Sequence, residues 1–227
     1  VATAVLTACL GSAVALATPT APAAPTSTRQ ADAAWFSEGL EQIQVEGLDR
    51  VYVRPGASLG AYNSVLLQPI SVAFRRTTGR PTAGGTRNRM RDQDIQRIKE
   101  GLSTLVEEQV RTELTAGGYT FSDEPGDDVL NVHLAIVNLN ITAPELTTTS
   151  RVRTYATTAG EMTLVAELRD SVTGELLARI MDRGAARDFA QMRMITRSDN
   201  VAEARTIANA WARALRNGLD KSRASDP

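Results

Sequence analysis

The sequence contains one cysteine, one histidine and few aromatic side chains, with Phe, Trp and Tyr together making up 4%. A single thiol excludes an internal disulfide and a thiolate metal cluster. A single imidazole excludes zinc sites built on several histidines, and no metal site is expected. Only a carboxylate-held Mg²⁺ or Ca²⁺ stays open on composition, because such ions need oxygen ligands alone. Scarce aromatics leave little surface on which sugars or unpaired bases can stack. No excess of one charge exists either: 25 Lys and Arg stand against 26 Asp and Glu. A nucleic-acid partner is therefore not expected. Phosphate-binding glycine patterns are missing too, since Gly79, Gly84 and Gly85 form neither G-x-G-x-x-G nor a Walker motif. No cofactor follows from the sequence.

Charge is also absent from residues 1–28; Arg29 is the first ionised side chain. Val1–Ala17 is small and apolar, too short for a comfortable membrane span and the right size for the apolar part of an export signal. Residues 1–17 thus read as an export or lipoprotein leader. Leu6-Thr7-Ala8-Cys9 resembles a lipobox, which would make Cys9 the lipidated first residue of the mature chain. Ala15-Leu16-Ala17 instead fits an A-x-A cleavage site, which would discard the cysteine. A third account makes Cys9 an incidental small residue. Residues 18–34 are rich in Pro, Ala and Thr and read as a disordered tether.

What remains is one domain over residues 35–220, ~190 residues and ample for a core, followed by a polar tail over 221–227. Its clearest segment is Glu161–Arg183. Met162, Leu164, Ala166 and Leu168 alternate with polar residues, then Leu176, Ala178 and Ile180 resume after Asp170–Gly174. The spacing predicts an antiparallel hairpin with one apolar face. Val129–Ile141 predicts a strand whose apolar phase slips near Ile136–Val137, which a bulge would reconcile. Arg50–Arg54 and Ser64–Phe74 predict two more strands, the second an edge strand or one broken at Pro69, with Leu66, Ile70, Val72 and Phe74 on one face.

Two helices are expected. Asp92–Ala116 carries Ile95, Ile98, Leu102, Leu105, Val106, Val110 and Leu114 at helical spacing and stops at Gly117-Gly118. Asp199–Leu219 opens with Asn200 and Glu203 in a capping-box arrangement and aligns Ile207, Trp211, Leu215 and Leu219. The expected fold class is α+β: a two-layer sandwich with a mostly antiparallel sheet of four to five strands and both main helices on one face. The opposite face, with Asn131, His133, Thr163 and Glu167, is expected to be wetter.

Candidate sites are few. The basic stretch Arg75–Arg91 holds Arg75, Arg76, Arg80, Arg87, Arg89 and Arg91. It reads as a solvated loop or as a patch for anions and lipid headgroups. His133 has no nucleophile or second histidine near it in sequence, so a solvent-facing strand residue is expected. It would act as a general base only if the fold brought a carboxylate to it. Asp170, Glu175 and Asp182 would make a hydrolase only by converging in a pocket with raised pKa values.

Several segments, in order, resemble one family: RVYVRPG, YNSVLLQPISV, EPGDDVLNVHLAI, AELRDSVTGELLAR and WARALRNGLD. Behind a leader and a Pro/Ala spacer, they are similar to the bacterial lipoproteins grouped as domain of unknown function 3313, over Trp35–Asp220. The resemblance implies a cell-envelope protein, lipid-anchored if Cys9 is processed and otherwise periplasmic or secreted. It supplies no catalytic residues. The expected function is a non-catalytic envelope accessory or binding protein that meets an envelope partner. The alternatives are a ligand or headgroup module using residues 75–91 and a carboxylate hydrolase.

Overall fold

The computed structural model describes residues 38–75, 92–141, 154–156, 160–185, 193–195 and 197–225. Its elements are β1 (Glu41–Ile43), β2 (Arg50–Val53), β3 (Ser64–Leu67), β4 (Ser71–Phe74), α1 (Asp92–Ala116), β5 (Thr120–Phe121), β6 (Val129–Ile141), β7 (Thr154–Ala156), β8 (Gly160–Asp170), β9 (Leu176–Ala185), β10 (Arg193–Ile195) and α2 (Arg197–Ser225).

The fold is α+β, and its sheet is larger than the sequence pattern implied. Eight strands join in the order β1-β2-β9-β8-β6-β3-β5, with β4 also on β6. The sheet is mixed. The β1, β2, β9, β8 and β6 neighbours are antiparallel. The β3–β5, β3–β6 and β4–β6 pairs are parallel. Parallel pairs need a long crossover, and α1 is that crossover, carrying the chain from β4 back to β5. β7 and β10 form a separate two-stranded ribbon.

Local chemistry explains most of the expected elements. In the β8–β9 hairpin, Asp170 Oδ1 accepts from Val172 N at 3.0 Å, Thr173 N at 2.6 Å and Thr173 Oγ1 at 2.8 Å. Gly174 turns the chain at φ +72°, a conformation that suits a residue without Cβ. Pro69 divides β3 from β4. Gln68 N still donates to Val132 O at 2.9 Å, and pairing with β6 resumes at Ser71↔Ala135. Leu66 pairs with Asn131, so it faces away from the helices, unlike Val72 and Phe74. The bulge in β6 falls between Val137 and Asn140, slightly later than expected, with Asn138 at φ 54°. It lets both Ile136 and Leu139 point into the core.

Both helices cover one face of the sheet. Leu102, Val106, Val110 and Leu114 of α1 and Ala208, Trp211, Ala212, Leu215 and Leu219 of α2 join one cluster with the inward residues of β6, β8 and β9. Gly184 brings α2 close to β9: a Cβ there would lie 2.2 Å from Ile207 Cγ2 and 2.9 Å from Trp211 Cζ2. The helix begins earlier than its Asn200/Glu203 signal, at Arg197, and runs past its expected end at Leu219 into the polar tail, to Ser225. That last turn is tied down by Arg223, whose guanidinium stacks 4.2 Å above the Tyr119 ring.

The far face of the sheet is drier than its polar letters imply. Leu40, Tyr52 and Leu176 form a small buried cluster there. Beside it Glu167 and Arg179 are buried at 3% and 6% exposure. They are opposite each other in the β8–β9 register, and the Arg179 Nη2–Glu167 Oε1 distance is 2.7 Å. Glu38 closes on the same guanidinium at 2.9 Å. Mutual pairing is what lets two charges leave water here.

Candidate functional site

α1 and α2 run side by side in the same direction. Polar contacts join them from Gln109 and Asn209 onward: Asn209 Nδ2 donates to Gln109 Oε1 at 3.3 Å and Arg213 Nε to Glu113 Oε1 at 3.2 Å. Toward the two N-termini a groove of about 480 Å³ lies between them. Leu139, Ile141 and Met162 make its floor, and Ile98, Leu105, Val201, Ala204 and Ile207 its walls. Gly101 and Ala204 sit where larger residues would fill the gap. At the mouth Val201 is 40% exposed.

The floor depends on two backbone features. The β6 bulge turns Leu139 inward while Asn140 stays exposed. Opposite it, Gly160 packs so tightly that a Cβ would lie 2.4 Å from Asn140 O, and its φ is +152°. Only glycine suits that junction.

Both charge signs line the rim. Asp94, buried in the first turn of α1 at 1% exposure, lies 3.4 Å from Arg97 Nη1, where the free N–H groups of the helix start favour an anion. Glu161 is gripped by Arg183 and by Arg75, the latter at 2.5 Å. The Arg183 hydrogen bond, aided by charge from both guanidiniums against a smaller effect of burial, holds the Glu161 carboxyl below the usual range. Glu108, Glu203 and Arg205 complete the rim.

The residues singled out in the sequence fall elsewhere or into structural roles. Arg75 is committed to Glu161, while Arg76, Arg80, Arg87, Arg89, Arg91 and Cys9 lie outside the described residues. His133 is partly buried rather than solvent-facing, and burial lowers its pKa. The fold does set a carboxylate, Glu167, opposite it. That carboxylate is occupied: Arg179 Nε donates to Oε1 at 3.0 Å and Arg169 Nη2 to Oε2 at 2.8 Å. Burial pushes the Glu167 carboxyl up, but these guanidiniums together outweigh it and hold it below its ordinary value.

Asp170, Glu175 and Asp182 do not share a pocket. Asp170 serves the hairpin turn and accepts from Tyr62 OH at 2.8 Å; hydrogen bonds from Thr173 lead in depressing its pKa, the reverse of what an acid catalyst needs. Tyr62 responds with a pKa pushed up to about 12, mainly by burial and then by this hydrogen bond. Glu175 pairs with Arg54 at 3.0 Å. Farther along β9, Asp182 accepts from Trp211 Nε1 at 2.6 Å and from Asp49 N at 2.9 Å. Among the described residues no group of three or more His, Cys, Asp and Glu is arranged to hold a metal ion. No described helix is long and apolar enough to cross a membrane. Sequence reasoning missed the groove; its traces were the small residues Gly101 and Ala204 beside two apolar stripes and the phase slip in β6.

These observations define a class: an α+β domain whose paired helices part over one end of a mixed sheet to leave an apolar groove. The chain belongs to the family described as protein of unknown function (DUF3313), whose model matches residues 36–215. No curated protein matches it. Similar solved structures include the PelC dodecamer from Paraburkholderia phytofirmans, at 11% identity, with 72% of this chain and 96% of that chain covered and a TM-score of 0.35. A minor lipoprotein from Acinetobacter baumannii gives 11% identity, 71% and 95% coverage and a TM-score of 0.38. A protein from Xanthomonas campestris gives 13%, 77%, 92% and 0.37.

Proposed function

We propose that this protein is a non-catalytic accessory of the bacterial cell envelope, anchored there through a lipid on Cys9, and that it works by binding an apolar ligand between the N-terminal halves of α1 and α2. The observation that carries the reading is the groove itself. It holds about 480 Å³, within the ~300–1,000 Å³ range of ligand pockets, and an apolar floor and walls sit inside a charged rim. The lipobox-like Leu6–Cys9 supports the anchor.

Gly101→Leu provides the test. A Cβ at Gly101 meets nothing within 4 Å, and the residue lines the groove. Leucine also has the higher helix propensity, by roughly 0.5–0.8 kcal/mol. The variant should therefore fold at least as well as the parent while losing saturable binding of the apolar fluorophore N-phenyl-1-naphthylamine. Unchanged fluorophore binding in Gly101→Leu would refute the location. Mass spectrometry of the mature N-terminus tests the anchor; an unmodified chain that has lost Cys9 would refute it.

A further inference from the structure

We infer that the groove accepts the single acyl chain of a lysophospholipid with a zwitterionic head. The inference rests on the binding role proposed above and names its ligand class.

Volume sets the chain. At ~30 Å³ for a water-sized group, a groove of about 480 Å³ holds on the order of sixteen methylenes. That is the length of one acyl chain. A helical peptide fits poorly: at ~10 Å across and 5.4 Å per turn, the same space admits only about one turn. An extended peptide would bring N–H and C=O groups against Leu139, Ile141, Met162 and Ile207, where the side chains offer them no partner. An alkyl chain brings no polar group. It enters past Val201, whose exposed side chain extends the apolar surface to the mouth.

The rim sets the head. Arg97 is already paired with Asp94, which leaves Arg205 and Glu203 on one helix and Glu108 on the other to meet the head. A phosphate is matched by the Arg205 guanidinium and an ammonium by the Glu108 and Glu203 carboxylates. An anionic head would meet repulsion from Glu108 and Glu203, and a cationic head from Arg205. Glu161 does not alter this balance, because it already lies between Arg75 and Arg183.

The experiment titrates the full-length protein with lysophosphatidylethanolamines of increasing chain length, reading displacement of N-phenyl-1-naphthylamine. Affinity should rise about fourfold per added methylene and level off near sixteen carbons. At equal length, a fatty acid and an alkyltrimethylammonium should each bind more weakly than the zwitterion. Gly101→Leu and Ala204→Trp should both abolish the dependence on length, with thermal unfolding showing that each variant is folded. Affinity independent of chain length overturns the acyl assignment, as does displacement by an amphipathic helical peptide with equal affinity. Equal binding of all three heads overturns the zwitterion. In any of these cases, fluorophore binding that Gly101→Leu still removes leaves the groove as a binding site. Fluorophore binding that survives Gly101→Leu sinks both readings together.

Discussion

Replacing Gly184 by alanine puts a methyl group where α2 already touches the sheet. The new Cβ would lie 2.2 Å from Ile207 Cγ2 and 2.9 Å from Trp211 Cζ2, both well inside van der Waals contact. The indole has no room to retreat, because its Nε1 is held by Asp182 at 2.6 Å. Overpacking of this kind costs ~1–3 kcal/mol. Removing glycine's backbone freedom returns ~0.5–1 kcal/mol. The net expectation for Gly184→Ala is a loss of about 1–2 kcal/mol. In a domain of this size that lowers Tm by about 2–8 °C. Ile207→Ala alone should cost ~2–4 kcal/mol as a core truncation at a partly buried position. The double variant is the decisive measurement, since the second change removes the atom that the first collides with. Its cost should fall at least ~0.5 kcal/mol short of the sum of the single costs, the signature of residues in contact. Urea unfolding with an unchanged m value provides the readout. A neutral Gly184→Ala, or strictly additive costs, would show that α2 does not rest on β9 in this way.

Three further perturbations test other parts of the fold. Trp211→Ala should cost ~3–5 kcal/mol in chemical denaturation, and Trp211→Phe about 1–2 kcal/mol, because the ring volume is largely kept while Asp182 loses its indole donor. Gly174→Ala should cost ~1–2 kcal/mol, since φ +72° suits a residue without Cβ; no effect would mean that the hairpin turns differently. Acid titration of stability should show two losses. His133 and Glu167 both have depressed folded pKa values, so in each case the unfolded chain binds the proton more readily and stability falls as pH drops. The His133 part begins below the unfolded value of ~6.5 and the Glu167 part below ~4.3. His133→Gln should flatten the first segment. Glu167→Ala should lower stability near neutral pH by ~3 kcal/mol, because Arg179 is left buried with Glu38 alone to balance it, and should remove the second.

The β8–β9 hairpin was legible because its information is local. Met162, Leu164, Ala166 and Leu168 spell a strand face, and Asp170 with Gly174 spell its turn. The stripe from Ile98 to Leu114 and the one through Trp211 likewise show which sides of the helices are buried. The parallel half of the sheet was not legible. Thr120–Phe121 is two residues long, and its partner Ser64–Val65 lies across a whole helix, so nothing nearby in sequence marks the pairing. Polar letters misled for the far face: Glu167 and Arg179 look solvent-seeking one at a time, and their burial depends on a register that joins them. The groove was hidden for the opposite reason. Gly101 and Ala204 look like weak members of an apolar stripe, and only the arrangement of both helices turns their missing volume into space.

The clasp of Glu38 on Arg179 has a mechanical consequence. A load applied to the chain ahead of Glu38 meets β1 next, a three-residue border strand that would peel away one hydrogen bond at a time. Before it gets there, Arg179 grips the Glu38 carboxylate and Arg54 Nη2 donates to its carbonyl at 3.3 Å. Tension is thereby shared with β2, through Arg54, and with β9, which is flanked on both sides by β2 and β8 and must shear against two neighbours before it yields.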